Sequence, residues 1–163
     1  MFLKSCLGMA VLCVGFVVAG VGSGAAAGLS PVLFSDGERM LSGHVVYPSA
    51  AEAPAGSFGG NAVFLSEPVT YGAEATPGRK PLVLLSHGIF GNRLNQLWLA
   101  RRLADAGYVS VAIDHPGTST RSRSPELARR LWERPLDLGR MIDGVLADPA
   151  LAALVDAQRI YAV

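Results

Sequence analysis

Cysteine occurs at only two of 163 positions, Cys6 and Cys13, and both lie in the apolar N-terminal stretch. A form cut beyond Cys13 holds no disulfide and no thiol nucleophile. Charge of one sign is also missing. Fourteen Lys and Arg stand against 13 Asp and Glu, a formal net charge of +1. Setting Lys4 aside leaves 13 against 13, so the chain has no basic footprint for a nucleic-acid partner. Neither a Gly-x-Gly-x-x-Gly fingerprint nor a P-loop lysine occurs, which argues against a flavodoxin-like or other α/β domain built around a phosphate. No metal and no cofactor is expected.

A third absence is local. Between Lys4 and Asp36 there is no charged residue, and Cys6 to Val21 form a hydrophobic stretch softened by glycine. Ala25, Ala26 and Ala27 then offer the small side chains that a signal peptidase needs. Residues 1–27 read as a secretory signal peptide cut near Ala27, and residues 28–163 as the domain it exports to the periplasm or the medium. An uncleaved anchor is the competing reading, because the uncharged stretch is nearly long enough to span. The Gly- and Ala-rich tail favours cleavage, which leaves no stable membrane span.

The most informative stretch is Lys80 to Asn92. Leu82 to Leu85 form an apolar run, as expected for a parallel strand buried on both faces. Ser86-His87-Gly88 ends it, and a helical pattern opens at Asn92. Strand, glycine turn and helix start leave backbone N–H groups facing a crevice at the carboxyl end of a sheet, where open α/β folds bind ligands. Bare N–H groups there suit negative charge.

The remaining chain supplies the context. Val32–Phe34 and Met40–Tyr47, joined at Ser35-Asp36-Gly37-Glu38, predict an antiparallel hairpin at a sheet edge. Residues 49–80 read as a long surface loop with a short strand at Ala62–Leu65. In it, Ala55-Gly56-Ser57-Phe58-Gly59 imitates a nucleophile elbow, but no strand leads into Ser57 and no helix follows, so Ser57 is not read as catalytic. Asn92–Gly107 predicts a helix packing Trp98 and its neighbours on the sheet, and Tyr108–Ile113 predicts the next buried parallel strand. Asp114 and His115 end that strand. Adjacent extended residues point to opposite sides, so they read as a polar terminus lining a pocket mouth and not as a proton-transfer pair. Ser124-Pro125 starts a helix. Arg121, Arg123, Arg129, Arg130 and Arg134 with interleaved glutamates read as a solvated face. Pro135 opens a last long helix with Leu138, Met141, Ile142, Val145 and Leu146 on one side. Arg159–Val163 reads as another buried parallel strand.

Leu-Ser-His-Gly at residues 85–88, Ala-Ile-Asp-His-Pro-Gly at 112–117 and Arg-Pro-Leu-Asp-Leu-Gly-Arg-Met-Ile-Asp at 134–143 resemble the exported dienelactone-hydrolase-like α/β-hydrolases, a group that is similar to platelet-activating-factor acetylhydrolase. The resemblance runs from about Phe34 to Val163. It implies a three-layer α/β-hydrolase fold with a mostly parallel sheet. It also implies a serine hydrolase of carboxylic esters or lactones, lipid-derived ones included. By it, the backbone N–H of Ile89 is an oxyanion donor, with His87 and Gly88 shaping the turn. The resemblance places Gly-x-Ser-x-Gly directly after Arg159–Val163, followed by the acid and then the histidine. No Gly-x-Ser-x-Gly occurs in the chain, and His44, His87 and His115 all precede the place where the triad histidine falls in that order. The expectation is therefore the front part of such a domain, truncated before its nucleophile elbow. A non-catalytic exported binding protein on the same half-fold is the alternative.

Overall fold

The computed structural model describes residues 26–163. Its elements in chain order are β1 (Ala27–Ser35), β2 (Met40–Pro48), β3 (Gly56–Phe58), β4 (Glu67–Tyr71), β5 (Lys80–Ser86), α1 (Leu97–Asp105), β6 (Val109–Ile113), α2 (Pro125–Ala128), α3 (Glu133–Ala147), α4 (Pro149–Leu154) and β7 (Val155–Ala162). The expected leader falls on residues 1–25, outside the described residues, apart from Ala26 and Ala27. Those two are buried against the sheet, where Ala26 donates its N–H to the Ala51 carbonyl at 3.1 Å. Among the described residues no helix is long and apolar enough to cross a membrane.

Seven strands form one sheet in the order β3-β4-β1-β2-β6-β5-β7. Its centre follows from composition. Leu82, Val83, Leu84 and Leu85 of β5 are all buried, as is every residue of β6, because helices cover both faces. The predicted strand–helix–strand unit gives the parallel β5–β6 pair, and β7 joins the other side of β5, also parallel. The sheet is mixed, and less parallel than expected, since β1–β2, β2–β6 and β3–β4 are antiparallel. The predicted hairpin is β1–β2, but it is not at the edge. β4 pairs with β1, and β3 with β4, so the edge is built from the segment read as loop. The short strand expected at Ala62–Leu65 is absent, and Val63 and Leu65 project into solvent.

Each face has its own core. On one side Leu97, Ala100 and Ala104 of α1 meet Leu29, Val46, Val69, Val83 and Leu85. On the other, Met141 and Val145 of α3 and Leu151 of α4 meet Phe34, Leu41, Val45, Leu82, Val111 and Ile113. The helix expected from Asn92 begins only at Leu97. Asn92 Oδ1 accepts from the N–H of Leu94 at 2.8 Å, and Asp114 accepts from that of Arg93 at 2.7 Å, so the first residues form a turn. Trp98 is 56% exposed, contrary to its expected packing on the sheet, because the smaller Leu97 and Ala100 occupy the contact. At the other end Gly107, at φ +87, lets Tyr108 N–H reach back to Leu103 O, a 6→1 closure that a side chain would strain. Helix α3 begins two residues before the expected Pro135, and Asp148 both ends it and caps α4. β7 is parallel as expected but mostly exposed, since the described residues cover only part of it.

The seating of α3 depends on a missing side chain. A Cβ at Gly144 would lie 2.3 Å from Cδ1 of Phe34, inside its ring contact radius. Gly144→Ala should therefore destabilise the chain by about 1–3 kcal/mol despite the better helix propensity of alanine. Chemical denaturation checks this, and adding Phe34→Leu should restore most of the loss.

Candidate active site

The carboxyl end of β5 leads into a β-turn in which Gly91 N–H donates to Gly88 O at 2.9 Å. Phe90, third in that turn, has φ +61, a left-handed conformation that costs a non-glycine residue about 1–2 kcal/mol. A neighbouring loop holds it there. Phe90 N–H donates to Thr118 O at 2.7 Å, and Thr120 Oγ1 donates to Phe90 O at 2.7 Å. The Arg123 guanidinium lies 5.3 Å from the Phe90 ring centroid, within cation–π range. Ile89 is 55% exposed, and neither its N–H nor that of Gly88 donates to any group among the described residues. Such a turn can offer two amides to an anion.

Beneath the turn runs a chain of polar side chains. Ser86 Oγ lies 3.0 Å from His115 Nε2, and His115 Nδ1 lies 2.8 Å from Asp137 Oδ2. His115 and Asp137 are fully buried. Asp137 also accepts from Arg39 Nε at 2.5 Å, from the second Arg39 nitrogen at 3.0 Å and from Arg140 at 3.3 Å. Arg134 donates to Ser86 Oγ at 3.1 Å, to Thr118 Oγ1 at 3.0 Å and to the His87 carbonyl. The bonds fix the tautomers. Asp137 accepts only, so His115 donates from Nδ1–H and accepts the hydrogen bond of the Ser86 hydroxyl at Nε2. His115 N–H donates to His87 Nε2 at 3.1 Å, leaving His87 Nδ1–H to donate to Gly88 O at 2.6 Å.

Electrostatics agree with that wiring. Burial would raise the Asp137 carboxyl, but hydrogen bonds from His115 and Arg39 outweigh it and hold the group below the usual carboxylate range. Burial lowers His87, which keeps it neutral and able to accept at Nε2. The arrangement matches serine-protease chemistry in its atom types only. Arg134 donates into the Ser86 oxygen lone pair that an attack would use, and His115 reaches no solvent.

Of the residues singled out in the sequence, Ile89, His87 and Gly88 stand together at the turn. Asp114 pairs with Arg93 at 3.0 Å and lines a shallow hollow of about 270 Å³ with Met40, Ser42 and Arg121. His115 points the other way, into the interior and not towards that hollow. Ser57 lies exposed on the short edge strand β3, with no helix after it. Arg134, read as part of a solvated basic face, turns inward instead. The inward face of α3 runs Arg134, Asp137, Leu138, Met141 and Val145, so the apolar period continues backwards into two charged positions. That continuation was the available signal for Asp137. Ser86, Arg39 and Thr118 gave none, because their partners are far away in sequence.

Strand order, the helices on both faces and a free-amide turn after a central parallel strand define an α/β-hydrolase-like fold. The chain is similar in structure to a ferulic acid esterase from Streptomyces cinnamoneus, with 24% sequence identity and a TM-score of 0.69 across 89% of this chain and 53% of that one. It is also similar to a dienelactone hydrolase-like promiscuous phosphotriesterase from metagenomic libraries, at 20% identity and a TM-score of 0.50 over 84% of this chain and 48% of that one. A hypothetical protein from Pseudomonas aeruginosa matches at 17% identity and a TM-score of 0.51, over 86% of this chain and 36% of that one. At these identities the likeness is one of fold. The chain spans about half the length of the esterase. No family model and no curated protein matches it.

One half-buried histidine outside the turn makes the pH dependence testable. Burial first, then the Arg93 charge, pushes His44 down to about 4, while Asp114 opposes them. Its Nδ1 has no partner among the described residues, and its ring meets Phe58 edge-on at 4.9 Å. The unfolded chain takes up this proton near pH ~6.5, so stability is whole above that value and is lost as pH falls towards the folded value of about 4. Thermal midpoints should decline over that window, and His44→Gln should flatten the decline. Asp36, held at about 2 chiefly by Arg140, adds its own loss only below pH ~4.

Proposed function

We propose that this chain provides the oxyanion-binding turn and central sheet of an exported serine hydrolase acting on carboxylic esters or lactones, lipid-derived esters included. The observation that carries the reading is that the N–H of Ile89, an exposed residue after the carboxyl end of β5, has no partner among the described residues and lies beside the carboxyl end of the parallel strand β7. In α/β-hydrolases one oxyanion donor comes from the loop after the third strand and the nucleophile sits on a strand-to-helix turn nearby. Ile89 N–H would stabilise the charge that develops on the ester carbonyl oxygen, with His87 and Gly88 shaping the turn. The buried Ser86–His115–Asp137 chain braces that turn and does not attack substrate. On this reading the described residues hold no activated nucleophile, acid and base of their own. The alternative reading, a non-catalytic exported binding protein, draws on the same observation, since a bare amide pair can hold a carboxylate without chemistry. Export rests on the uncharged stretch Ser5–Ser35 and the alanines before Gly28.

The 163-residue chain should leave a fluorophosphonate probe unreacted and release no nitrophenol from an acyl ester above background. A form carrying a Gly-x-Ser-x-Gly elbow beyond Val163, with its acid and histidine, should do both. In that form Ile89→Pro should lower kcat about 100-fold or more, roughly 3 kcal/mol of transition-state stabilisation. Stoichiometric labelling of the 163-residue chain, abolished by Ser86→Ala or Ser57→Ala, would overturn the assignment. For export, mass spectrometry of the secreted protein should find an N-terminus close to Gly28. Intact Met1–Lys4 in a membrane fraction would support the anchor instead.

A further inference from the structure

We propose that Arg134 and His87 are positioning residues that aim the backbone amides of Gly88 and Ile89 into the site, so that the turn offers two donors and not one. The cause is peptide geometry. In a planar trans peptide the C=O and the N–H point in opposite directions, and the chain contains no cis peptide among the described residues. Fixing a carbonyl therefore fixes the direction of the next residue's N–H.

Each carbonyl here is held from behind. The His87 carbonyl accepts from Arg134, so the Gly88 N–H must point away from Arg134. The Gly88 carbonyl accepts from His87 Nδ1–H at 2.6 Å and from Gly91 N–H at 2.9 Å, so the Ile89 N–H must point away from the His87 ring. Both amides then face solvent without a partner among the described residues. No heavy atom beyond its chain neighbours would lie within 4 Å of a Cβ built on Gly88, so the space beside it is open.

Arg134 is in turn set by the buried chain. Its guanidinium bonds Ser86 Oγ, and Ser86 is tied through His115 to Asp137, which sits one helical turn from Arg134 on the same inward face of α3. His87 keeps the required tautomer because its Nε2 takes the His115 N–H. Asp137 thus reaches both amides through two routes, one along side chains and one through the His115 backbone.

The role in catalysis rests on the hydrolase reading, but the orientation does not, and the experiment separates them. Residual dipolar couplings of the Gly88 and Ile89 N–H vectors report orientation directly in the ¹⁵N-labelled 163-residue chain. Arg134→Ala should change the Gly88 coupling and abolish the acetate-induced shift of that amide, and leave the Ile89 coupling near its original value. Arg134→Lys, which keeps the charge but not the fork, should do the same in part, and it covers the case in which the alanine variant does not fold. His87→Gln loses the donor to Gly88 O and should reorient Ile89. His87→Asn puts a side-chain N–H close to where Nδ1–H sits and should restore it. A merely structural role would move both amides together in every variant, or neither, and either pattern overturns the proposal. If the couplings behave as expected while the longer form cleaves no ester, the hydrolase reading fails and the positioning stands. If the longer form cleaves ester while the couplings do not respond, the positioning fails and the hydrolase reading stands.

Discussion

An ionised carboxylate with no solvent exposure must have its oxygens filled by donors, and Asp137 is that group in this fold. The penalty for burying a lone charge runs to several kcal/mol, so the site is stable only with its partners in place. Those partners come from three directions. Arg39 reaches in from the β1–β2 turn, His115 from the end of β6, and Arg140 from the next turn of α3. The hairpin, the central strand and the long helix are thereby tied at one point beneath the turn that follows β5.

The tie matters because the turn itself is strained. Phe90 sits in a left-handed conformation, and the 118–123 loop supplies the bonds that keep it there. Thr118 also accepts from Arg134 through its hydroxyl, so the clamp on the outside of the turn and the brace beneath it share a residue. A free amide is useful to a developing negative charge only if it does not have to reorient when the charge appears. Rigid support from both sides provides that condition, at the cost of local backbone strain.

Much of the fold was legible because local pattern and global role agree. The run Leu82–Leu85 has no polar face and read as a buried parallel strand, which is its place in the sheet. The i, i+3, i+4 recurrence from Leu138 to Val145 could only lie on the sheet. The Ser86–His87–Gly88–Ile89 turn was recognisable from the strand before it. Reading failed where long-range contacts override local preference. Arg134 sits among arginines and glutamates that do face water, and only the backward continuation of the α3 period marks its inward turn, to partners 16 to 48 residues away. His115 read as part of a polar strand end at a pocket mouth, whereas it is buried with Ser86 and Asp137 as its partners. Trp98 is the reverse case, a large apolar side chain left outside because small residues make the contact closer. The edge strands β3 and β4 lie in sequence too rich in Gly, Pro and Ser to announce them.

Gly144 lies two turns along α3 from Asp137, and the ring of Phe34 occupies the space where its side chain would be. That contact sets how far the helix slides over β1. The distance from the Asp137 carboxylate to His115 is measured from the same helix, so the bulk permitted at positions 34 and 144 also sets the depth at which the carboxylate sits. One apolar contact remote from the turn therefore acts as the spacer for its hydrogen bonds. Among related chains, size should be exchanged between these two positions while their sum is kept, and the aspartate–histidine spacing should survive as long as it is.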